Sequence, residues 1–338
     1  MADVVYRVDD RSILLPYYRK YLVDPFLPFV PRTMHPNTIT HVGHLLNLVG
    51  TVALVSMYPR RGWLFVFAMA LLQVYMWCDN ADGAHARRTG QCSPMGELLD
   101  HGLDQLNTVY IGFLTCMALG ASPLWWVVIA IIIPVATAMT YWDQAATGTF
   151  HVGLLNQIES VTVLSIALTV SAICGSDVWA NTKVFGISLL SGFQFWLAAS
   201  ILTSLFRNLQ RVRAAAGVRA TYSGVALLAF GISIFGAAAV GAISTVVAVT
   251  LATCMSVYFG IHALAARFQN KTIAIDKTLL VFTAVTCGFV ATKIATGHTP
   301  SAAAGTIFAG AGCVVFGGLV VRTSAPFVYG GANERSSE

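Results

Sequence analysis

Hydrophobic residues run along this chain in long blocks, and polar residues are confined to the short breaks between them. A helix that crosses a bilayer needs ~20 mostly apolar residues. Ten blocks approach that length, at about 41–58, 62–78, 96–120, 123–143, 155–175, 184–206, 222–242, 244–265, 278–295 and 301–321. They are too long for strands and too evenly apolar for the one-sided stripe of a soluble helix. The pattern predicts an all-α polytopic membrane bundle of about ten transmembrane helices. The second and third blocks are expected to continue as helix beyond the bilayer.

Composition agrees with the pattern. The chain is 56% hydrophobic and 10% charged, whereas a soluble domain carries roughly 25% charged residues. The opening M-A-D-V-V-Y-R-V-D-D lacks the basic and apolar regions of a cleavable signal, so the first spanning helix is expected to direct insertion. A net charge of +5 is too small to suggest nucleic acid as a partner. Seven scattered cysteines form no CxxC or Cys/His cluster, which argues against structural zinc or a disulfide framework.

Charge placement predicts the orientation. With a cytoplasmic N-terminus and ten spans, sixteen of the twenty Lys and Arg residues fall on the cytoplasmic side. Arg60, Arg61, Lys183 and Lys293 are left on the other. Cytoplasmic loops are enriched in Lys and Arg, so both termini are expected in the cytoplasm. Residues 1–40 differ from the rest: Y-Y-R-K-Y-L-V-D-P-F-L-P-F-V-P mixes aromatics, basic residues and prolines. An interfacial amphipathic helix broken by Pro25 and Pro28 fits that mixture; an arm packed on the bundle is the alternative.

The candidate chemistry lies between the second and third blocks. Asp79–Asp104 reads D-N-A-D-G-A-H-A-R-R-T-G-Q-C-S-P-M-G-E-L-L-D-H-G-L-D and holds five of the fifteen acidic residues. Carboxylates beside a bilayer are costly and usually functional. Residues three and four apart share a helix face, so Asp79, Asp82 and Ala86 form one stripe and Gly96, Asp100 and Asp104 another. Packed together, the stripes would gather four carboxylates, an arrangement that calls for cations. Hard oxygen ligands suit Mg²⁺, with Mn²⁺ as a substitute, and four carboxylates suit two ions, which can clamp an in-line displacement at phosphorus. Gly83 and Gly96 would let a pyrophosphate approach the backbone. Arg87 can bind phosphate oxygens.

The spacing D-x-x-D-G-x-x-A-R, eight residues, then G-x-x-x-D-x-x-x-D resembles the signature of the CDP-alcohol phosphotransferases. It is complete in Asp79, Asp82, Gly83, Ala86, Arg87, Gly96, Asp100 and Asp104. P-N-T-I-T at Pro36–Thr40, D-N-A-D-G-A-H-A-R-R-T and S-P-M-G-E-L-L-D-H-G-L-D are similar to the choline and ethanolamine phosphotransferase branch. His85 and Ala84 depart from that branch, which usually has Gln and Lys there. The resemblance is dense over 36–160 and topological afterwards.

It implies transfer of phosphocholine or phosphoethanolamine from CDP-choline or CDP-ethanolamine to diacylglycerol, with release of CMP. It also implies Asp79, Asp82, Asp100 and Asp104 as ligands of two Mg²⁺, and Asn37, Gly83, Arg87 and Gly96 as nucleotide and pyrophosphate contacts. His101 is implied as general base oriented by Glu159, with Asp104 or a bound water as rivals for the base. The catalytic bundle would occupy 41–206, after the arm at 1–40. Residues 207–338 would add packing helices, a homodimer contact and a short tail. The site would face the cytoplasm from an endoplasmic reticulum or Golgi membrane, or from a bacterial inner membrane. Tyr75, Trp77, Tyr110 and Tyr141 are candidates for an aromatic cage around a quaternary ammonium, or for interface anchors. Two other functions stay open: a phosphatidyltransferase using CDP-diacylglycerol and a soluble alcohol, and a membrane transporter.

Overall fold

The computed structural model describes residues 7–57, 62–153, 156–269, 271 and 273–335. Arg60 and Arg61, used in the charge argument, lie outside the described residues. Ten long helices follow the ten apolar blocks: α1 Pro36–Met57, α2 Trp63–Thr89, α3 Pro94–Leu119, α4 Pro123–Thr147, α5 Gln157–Cys174, α6 Leu189–Ala216, α7 Thr221–Ala239, α8 Thr245–Phe268, α9 Lys277–Thr296 and α10 Ala302–Arg335. Short helical turns (Leu15–Tyr18, Arg19–Val23, Leu27–Phe29) punctuate the arm before α1.

Local chemistry sets the helix ends. Ser93 caps α3 by accepting from the Gly96 amide, and Pro94 opens its first turn. Asn156 and Glu159 form a capping box at the start of α5. Each side chain satisfies an amide that the first turn would otherwise leave unpaired. Gly90 and Gly120 end α2 and α3 in the left-handed conformation, at φ 72° and 59°, which costs glycine little.

Among the described residues, nine helices are long and apolar enough to cross a membrane, and the chain is an integral membrane protein. The helix outside that count is α3. Glu97, Asp100, His101, Asp104, Gln105 and Asn107 fill its first half, so the third predicted span is a helix whose polar half carries the motif.

The chain divides into two compact units. One comprises Val8–Ala121 and His151–Ala198; the other comprises Met1–Arg7, Ser122–Phe150 and Ala199–Glu338. In the first, α1 packs on α2 and α3, and α5 packs on the same two helices. Gly43 lets α1 and α2 touch, since a Cβ there would stand 2.6 Å from the Cys78 Cβ. Such contacts between small residues hold membrane helices together where lipid supplies no hydrophobic drive. The arm lies on this unit. Val23 is buried with Ile39, Cys78 and Ala81, while Tyr17, Tyr21 and Phe29 are exposed. It is therefore an arm packed on the bundle, with aromatic side chains left on its outer face. In the second unit, Phe230, Phe282 and Phe316 bring α7, α9 and α10 together, with Phe282 and Phe316 centroids 4.8 Å apart.

Candidate active site

The two predicted stripes meet. Asp79 and Asp82 come from the last turns of α2, and Asp100 and Asp104 from the first turns of α3. The Tyr75 hydroxyl joins the helices: it lies 2.8 Å from Asp104 Oδ1 and 3.3 Å from Asp79 Oδ1, and it accepts from Gln157 Nε2 at 2.8 Å. Asp82 is buried. Its Oδ2 accepts from the Thr40 hydroxyl and its Oδ1 from the Gly83 amide, both at 2.5 Å.

His101 stands among carboxylates. Its Nδ1 is 3.8 Å from Asp104 Oδ2 and 3.9 Å from Asp100 Oδ2, and its Nε2 is 3.9 Å from Glu97 Oε1. A second histidine, His44 of α1, approaches Asp104 from the other oxygen, with Nε2 3.7 Å from Oδ1. The His44 ring meets the Tyr75 ring edge-on, 5.0 Å between centroids.

The donor set fits a hard cation. One ligand atom each from Asp100, His101 and Asp104 lie within 4.8 Å of one another. Asp100 Oδ1 is buried without a hydrogen-bond partner. Among the described residues, none of the four aspartates makes an ion pair with a lysine or arginine. Asp82 is buried and the other three are half-buried, and carboxylates crowded together in that condition call for a metal ion or a proton.

The expected phosphate contacts sit at the rim. The Asn37 Oδ1 is 3.6 Å from where a Gly96 Cβ would be, which sets Asn37 at the N-terminus of α3. The Arg87 guanidinium lies across Gly83, 3.5 Å from its Cβ position. A helix N-terminus and an exposed arginine are both suited to an anion.

Glu159 has different partners from those expected. Its Oε1 accepts from the Ser12 hydroxyl at 2.7 Å and from the Ile13 and Leu14 amides at 2.9 Å each. Its Oε2 accepts from the Asn156 amide. This carboxylate thus fastens the arm, and the acids nearest His101 are Glu97, Asp100 and Asp104. The motif helix holds the arm at further points. Trp77 donates to the Leu22 carbonyl, Arg88 donates to the carbonyls of Leu27 and Val30, and His85 bonds the Met34 carbonyl. Burial, then the charge of Asp79, pushes the Tyr18 hydroxyl of the arm up to about 12.

Sequence reasoning missed Thr40, His44 and Gln157 as neighbours of the acids. Thr40 closes P-N-T-I-T, and its place one turn after Pro36 could have been read as facing the stripe of Asp79 and Asp82. His44 and Gln157 carry no spacing signal. Of the cage candidates, Tyr75 is buried against the carboxylates and Trp77 is half-buried, bonded to the arm. Tyr141, in the other unit, stacks on Phe150 at 5.8 Å.

Residues 33–190, a little under half of the chain, match the CDP-alcohol phosphatidyltransferase family. The curated proteins that this part of the chain resembles include cholinephosphotransferases. It is 33% identical over 163 residues to human cholinephosphotransferase 1, covering 46% of this chain and 40% of that protein. With the Xenopus laevis cholinephosphotransferase 1 it shares 31% over 184 residues, 52% of this chain and 45% of that one. It is also 25% identical over 232 residues to an uncharacterized CDP-alcohol phosphatidyltransferase class-I family protein of Schizosaccharomyces pombe, covering 62% and 60%. The chain spans less than half the length of these two cholinephosphotransferases.

Proposed function

We propose that the protein transfers phosphocholine, phosphoethanolamine or both from the CDP-alcohol to diacylglycerol, releasing CMP. The observation that carries this reading is the convergence of four aspartates from α2 and α3 without a basic partner. The likeness of residues 33–190 to cholinephosphotransferases supports it.

Asp79, Asp82, Asp100 and Asp104 would hold two Mg²⁺, or Mn²⁺ in their place. When bound, such ions neutralise the pyrophosphate and stabilise charge on the attacking and leaving oxygens. Asn37, Gly83, Gly96 and Arg87 bind the nucleotide and pyrophosphate through backbone approach, the α3 N-terminus and a bidentate guanidinium. His101 takes the proton from the diacylglycerol hydroxyl. The hydroxyl oxygen bonds to the phosphorus that carries the alcohol, and the bond from that phosphorus to the CMP oxygen breaks. A hydroxyl is a weak nucleophile, so a histidine placed among the acids of the site suits the step. Glu159 keeps the arm beside α2. Diacylglycerol enters from the bilayer and the nucleotide from the cytoplasm, the side to which the basic loops assign the motif. Residues 207–338 add packing helices and a contact for a homodimer. The membrane is that of the endoplasmic reticulum or Golgi in a eukaryote, and the inner membrane in a bacterium.

Purified protein in diacylglycerol micelles with Mg²⁺, given labelled CDP-choline and CDP-ethanolamine separately, tests this reading. Labelled phospholipid from either donor supports it and names the headgroup. Folded protein that makes none from either, but makes product from CDP-diacylglycerol and a soluble alcohol, overturns it.

A further inference from the structure

The geometry points to Tyr75 as a positioning residue of the acidic site, with Gln157 fixing the direction in which its hydroxyl donates. This rests on the metal-binding reading of the four aspartates.

Tyr75 is fully buried one turn before Asp79 on α2. Its hydroxyl has one proton and two lone pairs. The oxygens at 2.8 Å (Asp104) and 3.3 Å (Asp79) belong to carboxylates, which in the ionised form only accept. The proton is therefore directed at them, and the shorter distance assigns it to Asp104. The lone pairs face α5, where Gln157 presents its amide nitrogen at 2.8 Å. A hydroxyl that receives a hydrogen bond on its lone pair cannot turn its proton that way, so Gln157 holds the donor on the acids. Gln157, Tyr75 and Asp104 thus form a chain through α5, α2 and α3.

This chain also makes the two Asp104 oxygens unequal. Oδ1 is taken by Tyr75, on the side of His44. Oδ2 remains, on the side of Asp100 and His101, 3.8 Å from His101 Nδ1. Fixing one oxygen of a ligating carboxylate fixes where the other points. Removing such an outer partner typically weakens metal affinity 10–100-fold. Neither Tyr75 nor Gln157 belongs to the eight-position motif, and Tyr75 is fully buried.

Mn²⁺ titration of the purified full-length protein, with free Mn²⁺ read by electron paramagnetic resonance, tests the inference without any turnover. Tyr75→Phe keeps the ring and removes the hydroxyl. It is expected to bind Mn²⁺ about 10–100-fold more weakly while retaining wild-type circular dichroism and elution volume. Gln157→Leu, one bond further out, is expected to lose about threefold to tenfold. Asp104→Asn is measured alongside. If it loses Mn²⁺ while Tyr75→Phe binds like wild type, the positioning role is wrong and the metal reading stands. If Asp104→Asn itself binds like wild type, the metal reading fails and takes this inference with it. Should Tyr75→Phe fail to fold, Gln157→Leu decides: wild-type affinity there overturns the chain of bonds.

Discussion

Asp143 and the four motif aspartates are acids set in apolar helices, and their surroundings differ in kind. Asp143 of α4, fully buried, is met by Arg211 of α6, whose Nε lies 2.7 Å from Oδ2. Asp276, in the same unit, caps α9 through the Thr278 amide and accepts from the Tyr258 hydroxyl. Each of these acids has its charge balanced or its oxygens filled by neighbours, as a structural acid must. Asp79, Asp82, Asp100 and Asp104 are drawn together with hydroxyls, an amide and histidines around them, and no lysine or arginine among their ion-pair partners within the described residues. An acid that supports a fold finds a counter-charge, as Asp143 does, or neutral donors, as Asp276 does. A set that gathers like charges and omits the counter-charge suits a cation from outside, which is the role proposed above for these aspartates.

The comparison can be broken most sharply at Asp104. Asp104→Asn is expected to lower transfer at least about a thousandfold, since it removes a ligand from the charge-stabilising centre, while the detergent-solubilised protein keeps its helical spectrum and melting temperature. Near-normal transfer in a folded variant would refute the reading. His101→Gln comes next, with an expected loss of about 10²–10⁴-fold in kcat and little change in Mn²⁺ affinity. A loss of Mn²⁺ binding instead would make His101 a ligand rather than a base.

Arg211→Ala probes the structural acid. Leaving Asp143 buried and unpaired is expected to cost about 3–5 kcal/mol of stability, read as a drop in melting temperature, with Mn²⁺ affinity unchanged. Glu159→Gln should be the mildest. Weakening the acceptor of three arm donors costs about 1–3 kcal/mol, and limited proteolysis should cut the arm near Ser12 first. Loss of transfer beyond about a hundredfold, with the arm still protected, would return Glu159 to the role of orienting His101.

Much of this molecule was legible in its sequence. Length of apolar run located all ten long helices, because a bilayer fixes how many residues a span requires. The motif aspartates were legible because helical periodicity puts Asp79 with Asp82, and Asp100 with Asp104, on single faces. The eight-position spacing carried the family resemblance. Three things were not legible. Hydropathy alone did not separate α3 from the true apolar spans, since its second half is as apolar as theirs. Glu159 read as an intramembrane acid, but its position three residues after Asn156 makes it a capping-box glutamate whose Oε2 caps its own helix and whose Oε1 faces the arm. The contacts of Tyr75 with Gln157 join residues 82 positions apart, and no local pattern encodes such a pair. The arm was half legible: its mixed composition set it apart from the spans, while its attachment through Arg88 and His85 depended on the fold.

The central claim is that the unpaired acids exist to bind cations. Equilibrium dialysis of purified protein against Mn²⁺, with the bound metal counted by mass spectrometry, tests it directly. The account predicts two saturable ions per chain, displaced by excess Mg²⁺, lost in Asp104→Asn and retained in Arg211→Ala. No saturable binding by folded wild-type protein, or equal binding by wild type and Asp104→Asn, would contradict it.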